Sequence, residues 1–239
     1  IAATIGTTTA ATPGYDSTTP TTTTTTTSTL SKTQKAYQDI ILSGIIDDFT
    51  EPFPMTSSGS EWRGTSDRII SGGILSSEGS IRREIVNEKT SNVLIGHVSK
   101  EPNAFIQMIT DLGGGSGIGG IDATEYDGIE LDVLSQESLQ FNVHLRSTTT
   151  PGISYRHTVT LECLFGWSTI RIPFTSFVNN DDSDSDIDDI DDDSDTDDDE
   201  MTTMTTVDYG NLSRIGIVAL EPKSDINLAV SGVRLHSVI

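Results

Sequence analysis

Leu139-Gln140-Phe141-Asn142-Val143-His144-Leu145-Arg146 and, a few residues on, Tyr155-Arg156-His157-Thr158-Val159-Thr160-Leu161-Glu162-Cys163 decide the fold. In the first run Phe141, Val143 and Leu145 fall on one face, and Asn142, His144 and Arg146 on the other. In the second, Tyr155, His157, Val159, Leu161 and Cys163 oppose Arg156, Thr158, Thr160 and Glu162. Successive side chains of a strand point to opposite faces, so this alternation describes strands with one face buried and one wet, the habit of antiparallel sheets. Further short apolar segments lie at Val93–Val98, Ala104–Ile109, Gly128–Val133, Trp167–Pro173, Leu212–Leu220 and Ile226–Leu235, separated by Gly, Ser, Asn and Asp clusters. Ile215 to Leu220 is apolar on both faces and is expected to be a central strand. Eight such strands with no interleaved helices predict an all-β sandwich of jelly-roll type.

Outward from this core the composition changes sharply. Residues 1–30 contain fifteen Thr and no Lys or Arg, with Thr21 to Thr27 unbroken. So little apolar surface cannot offset the entropy of ordering a chain, so 1–30 is expected to be a flexible, disordered tail. Ser31-Lys32-Thr33-Gln34 fits a capping box, Ala36, Tyr37, Ile40 and Ile41 recur at helical spacing, and Gly44 is a stop. These predict a helix over 31–44 that lays its apolar stripe on the following domain, 45–239. Residues 181–200 hold thirteen Asp and one Glu, fourteen of the carboxylates behind a net charge of −22. They lie in a low-complexity insertion, 179–206, between two strands. Its like charges repel one another, which predicts a disordered, solvated spacer.

These features exclude several functions. An acidic chain lacks the basic surface that nucleic acid requires, and no apolar run is long enough to span a membrane. A single cysteine, Cys163, rules out an internal disulfide framework. With no initiator Met and no leader-like segment at its start, the sequence is expected to be a processed form. Gly115-Ser116-Gly117-Ile118-Gly119-Gly120 matches a dinucleotide fingerprint literally, but no helix start follows it, so it reads as a mobile loop. Asp182-Ser183-Asp184-Ser185-Asp186 has the spacing of a calcium loop without its glycine or helices. His144 and His157 fall on opposite faces of their strands and share no metal. No catalytic residue, metal site or cofactor is expected.

One stretch remains: Trp62-Arg63-Gly64-Thr65-Ser66-Asp67-Arg68-Ile69-Ile70-Ser71-Gly72-Gly73. The Gly pair marks a tight bend. Trp62, Arg63, Asp67 and Arg68 put an aromatic body and mixed charge into seven positions. Such a cluster is either a loop tied to the core by its own ion pair or a recognition surface.

The same stretch resembles the opening signature of the complex I intermediate-associated protein 30 family: a Trp, then Ser-Asp-Arg and a Gly pair. Asp47-Asp48-Phe49, Ile95-Gly96-His97-Val98-Ser99, Tyr126-Asp127-Gly128-Ile129-Glu130-Leu131, Phe141 to Arg146, Trp167 to Phe177 and Ile215-Gly216-Ile217 resemble further family segments in the same order. The sequence departs from the family at Pro102-Asn103-Ala104-Phe105, where Asn-Gly-Gly-Phe is usual, and in longer loops around Gly113–Gly120 and Asp181–Glu200. The resemblance implies a galactose-binding-like jelly roll. It also implies a non-enzymatic assembly or accessory protein of a membrane electron-transfer complex, respiratory complex I or a photosystem. Such a protein works in the mitochondrial matrix or plastid stroma, peripheral to the membrane through its protein partners. The expected protein-binding residues are Trp62, Arg63, Asp67, Arg68, Arg146 and Arg171. The alternative is a carbohydrate-binding module, since this fold class hosts sugar sites.

Overall fold

The computed structural model describes residues 32–70, 72, 76–113, 119–150, 152–162, 166–179, 207–220 and 223–237. The Thr-rich tail, the Ser31 cap, Gly115–Ile118 of the glycine loop, Cys163 and nearly all of the acidic insertion lie outside them.

Helix α1 (Lys32–Ser43) leads into strand β1 (Ile45–Asp47). It ends where expected: Gly44 takes φ 71° and its N–H donates to the Ile40 carbonyl at 2.8 Å. Ile40 is buried, and the Tyr126 hydroxyl donates to the Ile41 carbonyl, so the helix end is tied to the sandwich.

The remaining strands are β2 (Arg63–Ser66), β3 (Glu78–Val86), β4 (Lys89–Val98), β5 (Ile106–Asp111), β6 (Gly128–Ser135), β7 (Leu139–Ser147), β8 (Tyr155–Leu161), β9 (Ser168–Pro173), β10 (Val178–Asn179), β11 (Leu212–Ala219) and β12 (Lys223–His236). A four-residue helix, α2 (Asp67–Ile70), follows β2 directly. The first sheet has the order β3-β4-β12-β6-β9, with β1 also pairing β12; the second is β10-β8-β7-β11-β5-β2. Every pairing is antiparallel.

The two inner faces enclose one large apolar core. Phe141, Val143 and Leu145 of β7 meet it from one sheet, Leu131, Val133, Leu228 and Val230 from the other. The alternation that predicts β7 and β8 is thus the alternation that packs them. β11 lies between β7 and β5, and Ile215, Ile217, Val218 and Ala219 are all buried, as a strand apolar on both faces requires. Four strands have no apolar signature in the sequence: β1, β2, β3 and β10 are short, polar or at sheet edges.

Candidate protein-binding site

The Trp62–Gly73 stretch divides between the interior and the surface. Trp62 precedes β2 and is buried, 2% exposed, its ring stacked on Phe49 at 6.2 Å between centroids. Its indole Nε1 donates to Oδ2 of Asp47 at 2.7 Å. Asp47 Oδ1 accepts from the Phe49 N–H (2.9 Å), the Ser57 N–H (3.1 Å) and the Ser57 hydroxyl (3.1 Å). Arg83 of β3 reaches the same carboxylate, with Nη2 3.5 Å from Oδ2, and its guanidinium lies over the Phe49 ring, 5.0 Å from the centroid. Arg83 also donates to Asn92 Oδ1 and to the carbonyls of Phe49, Glu51 and Met55. Burial pushes the Arg83 guanidinium down from its ordinary value, against the opposing pull of Asp47 and Asp48. Phe49 holds φ 61°, a conformation uncommon for a bulky residue, and this network fixes it there.

Asp67 opens α2 and is also interior. Its Oδ2 accepts from the Ser77 hydroxyl at 2.6 Å and the Phe105 N–H at 3.2 Å, and its own N–H donates to the Phe105 carbonyl at 3.1 Å. Asp67 therefore staples the turn after β2 to the start of β5. It does not pair with Arg68, whose guanidinium meets Glu78 of β3. Trp62 and Asp67 have no surface to offer a partner, which corrects the expectation that they face one. A Trp beside charged residues reads as a recognition anchor in sequence, but here its polar edge is satisfied by a carboxylate fifteen residues earlier.

The exposed part of the stretch is α2 itself. Ile69 and Ile70 are 65% and 68% exposed beside Arg68, and Gly72 then turns the chain at φ 68°. Arg68 and Ile69 border an open groove of about 680 Å³ that is also lined by Gly79, Gly96, His97 and Asn227. Both glycines are steric requirements of this lining. A Cβ at Gly79 would lie 2.8 Å from Ile106 Cβ, and one at Gly96 only 2.0 Å from the Glu78 carbonyl oxygen.

The other expected residues lie elsewhere. Arg63 and Arg146 stand on the outer face of the second sheet, Arg63 paired with Asp111. Arg171 stands on the outer face of the first sheet, with Nε 2.7 Å from Glu130. The six residues are thus two buried ties and four exposed cations spread over three regions. His144, on the same outer face as Arg146, is held down at a pKa of about 4 by burial and by Arg156 and Arg146. Sequence reasoning missed Arg156 and Arg214 on that face, because only the strand registers place them beside Arg146.

Among the described residues no cluster of His, Cys, Asp and Glu is arranged to hold a metal, and no helix is long and apolar enough to cross a membrane. The only Phe, Tyr or Trp residues in the described strands, Phe141 and Tyr155, point into the core.

Comparison with known proteins adds two findings. The model of the family described as Complex I intermediate-associated protein 30 matches residues 48–186, more than half of the chain. β11 and β12 lie beyond the matched span, yet they complete the centres of both sheets. Among solved structures, the family 11 carbohydrate-binding module from Clostridium thermocellum, in complex with a β-1,3-1,4-mixed-linked tetrasaccharide, is similar with a TM-score of 0.55 and 16% identity, covering 82% of this chain and 96% of that one. The same module of the cellulosomal cellulase Lic26A-Cel5E of that organism gives a TM-score of 0.53 at 16% identity, covering 81% and 94%. At such identity the likeness is one of fold, a two-sheet jelly roll. No curated protein matches the chain in sequence.

Proposed function

This chain belongs to the complex I intermediate-associated protein 30 family, and on that premise we propose that it is a non-enzymatic accessory or assembly protein of a membrane electron-transfer complex. The family match carries the reading. The complex is respiratory complex I or a photosystem, the compartment the mitochondrial matrix or plastid stroma, and the membrane is reached through protein partners. The geometry supports α2 as the contact: Arg68, Ile69 and Ile70 are exposed on a short helix, Arg68 and Ile69 line a groove, and the helix start is tied to the interior by Asp67. Exposed isoleucines next to an arginine suit a protein interface better than a solvated turn. Arg63, Arg146 and Arg171 are secondary contacts in this proposal. Carbohydrate recognition has less support, because both aromatics of the strand faces are interior and the likeness to sugar-binding modules is one of fold.

The test is native-gel fractionation of organelle membranes, probed for this chain, with mass spectrometry of the band that carries it. Co-migration with an electron-transfer complex or its subcomplexes is the expected result. Migration only as a free species of about 26 kDa, the mass of the chain, would overturn the reading.

A further inference from the structure

The outer face of the second sheet carries a charge opposite to that of the molecule. Registers place Arg156, His144, Gly216, Ile109 and Arg63 in one row across β8, β7, β11, β5 and β2. Arg146, Arg214 and Asp111 form the adjacent row. At a strand spacing of about 4.8 Å the first row spans about 19 Å. Four of the chain's fourteen Lys and Arg residues stand on this one face; among its described strand residues Asp111 is the only carboxylate, with Glu162 one residue past β8 and Glu61 two before Arg63 at its margins. Asp111 serves two of the four: it pairs with Arg63 and accepts from Arg214 Nε at 2.7 Å. No ion pair joins Arg146 or Arg156 to a carboxylate among the described residues.

The placement opposes folding stability. Arg146 lies directly across from Arg214, and like charges directly opposed on neighbouring strands repel, a repulsion that Asp111 offsets only on the Arg214 side. The row has a low centre, since Gly216 has no side chain and lies between His144 and Ile109. His144 Nε2 is buried there without a hydrogen-bond partner, while Nδ1 lies 3.3 Å from the Ser154 hydroxyl. The outer face of the first sheet differs: Glu130 and Asp132 there pair with Arg171, Arg234 and Lys89, so its cations are matched.

We propose that the outer face of the second sheet docks an acidic segment of a protein partner across the Arg156–Arg63 row. Charge complementarity identifies the occupant. A net charge of −22 repels an extended polyanion that must lie along the whole molecule, such as duplex nucleic acid or an anionic bilayer. A short acidic segment meets only the local field, because charges beyond about 8 Å are largely screened at physiological salt. Arginine forks bind carboxylates in pairs of parallel hydrogen bonds, which Arg146 and Arg156 have available. This inference deepens the accessory reading and rests on it for the existence of a protein partner.

The test uses the full chain and a fluorescein-labelled peptide of four Glu-Ser-Asp repeats, followed by fluorescence anisotropy at low and physiological salt. The wild type is expected to bind, more weakly as salt rises. Binding should fall at least tenfold in the R146E/R156E double variant, whose thermal midpoint should not drop. R82E/K89E, on the outer face of the other sheet, should bind as the wild type does. Equal binding by R146E/R156E and wild type, or no binding by the wild type, would overturn the inference. So would duplex DNA or phosphatidylglycerol vesicles binding as tightly as the peptide. Peptide binding is read without the membrane complex, so its failure is distinct from failure to co-migrate in the native gel.

Discussion

Replacing Asp47 with alanine removes the one acceptor shared by Trp62, Arg83, Ser57 and the Phe49 backbone. The Asp47 side chain is 0% exposed and that of Arg83 10%, so water cannot readily replace what is lost. Truncating one partner of a buried ion pair costs about 3–5 kcal/mol, because the other charge stays buried and uncompensated. An orphaned indole N–H adds about 1–3 kcal/mol, part of it the same loss counted twice. Arg83 keeps its bonds to Asn92 and three carbonyls, and Ser57 is exposed enough to find water, which places the expected cost at about 4 kcal/mol. That is a large share of the stability of a domain of this size, about 5–15 kcal/mol. Urea unfolding followed by tryptophan fluorescence reads it, with Trp62 reporting the site directly. Asp47→Asn keeps one carbonyl oxygen and the side-chain volume but loses the charge, and should fall between Ala and wild type. Arg83→Met should destabilise alone, while D47A/R83M should cost clearly less than the two single changes together. A loss below about 1 kcal/mol in D47A, or strict additivity in the double variant, would refute the claim that this carboxylate organises the segment.

The His144 pKa of about 4 lies below the ordinary 6.5, so the unfolded chain binds a proton that the folded chain refuses between those values. Stability should therefore be fully present above pH 6.5 and decline as pH falls toward 4, by at most about 3 kcal/mol, and His144→Gln should flatten urea midpoints measured across that window. Asp132 acts at lower pH: burial pushes its carboxyl up, but the Thr169 hydroxyl, Arg234 and Lys89 hold it below the usual range, so its contribution is lost only as pH falls through that depressed value. Gly96→Ala drives a Cβ against the Glu78 backbone, and calorimetry should show destabilisation of about 3 kcal/mol as β3 and β4 are forced apart. The variant I69S/I70S should keep its unfolding free energy in urea within about 0.5 kcal/mol of wild type, since both side chains are exposed, yet abolish co-migration in the native gel; retained co-migration would move the contact away from α2.

The strands that pack on both sides were legible because burial writes its period into the residues. Phe141, Val143 and Leu145 had to alternate, and Ile215 to Ala219 could not, since β11 is enclosed by two neighbours and faces the core. The edge strand β3 escaped notice because Arg82, Arg83 and Glu84 break any apolar rhythm, although Arg83 points inward. Its inward turn depends on Asp47, thirty-six positions away in the chain, and no local period encodes such a partner. The roles within Trp62–Gly73 were hidden for the same reason. Whether Trp62 faces a partner or the core is decided by the Asp47 carboxylate, and whether Asp67 pairs with Arg68 is decided by Ser77 and Phe105.

That division gives the segment its mechanical sense. A four-residue helix has too few internal hydrogen bonds to hold a shape on its own. Here Trp62 fixes the chain before β2, Asp67 fixes it after, and Glu78 meets Arg68 from the adjoining strand. Ile69 and Ile70 thus follow directly on a residue tied to the interior, and a tie of that kind reduces the backbone freedom a contact has to remove. The buried residues of the signature matter to a partner only through such ties. Changing Trp62 and Arg63 together to alanine would empty a core position, at a cost of about 3–5 kcal/mol, and so test the fold before it tested the contact. Changes confined to Ile69 and Ile70 and to Arg146 and Arg156 leave the core and the ties at Asp67 and Arg68 intact, and they report on binding alone.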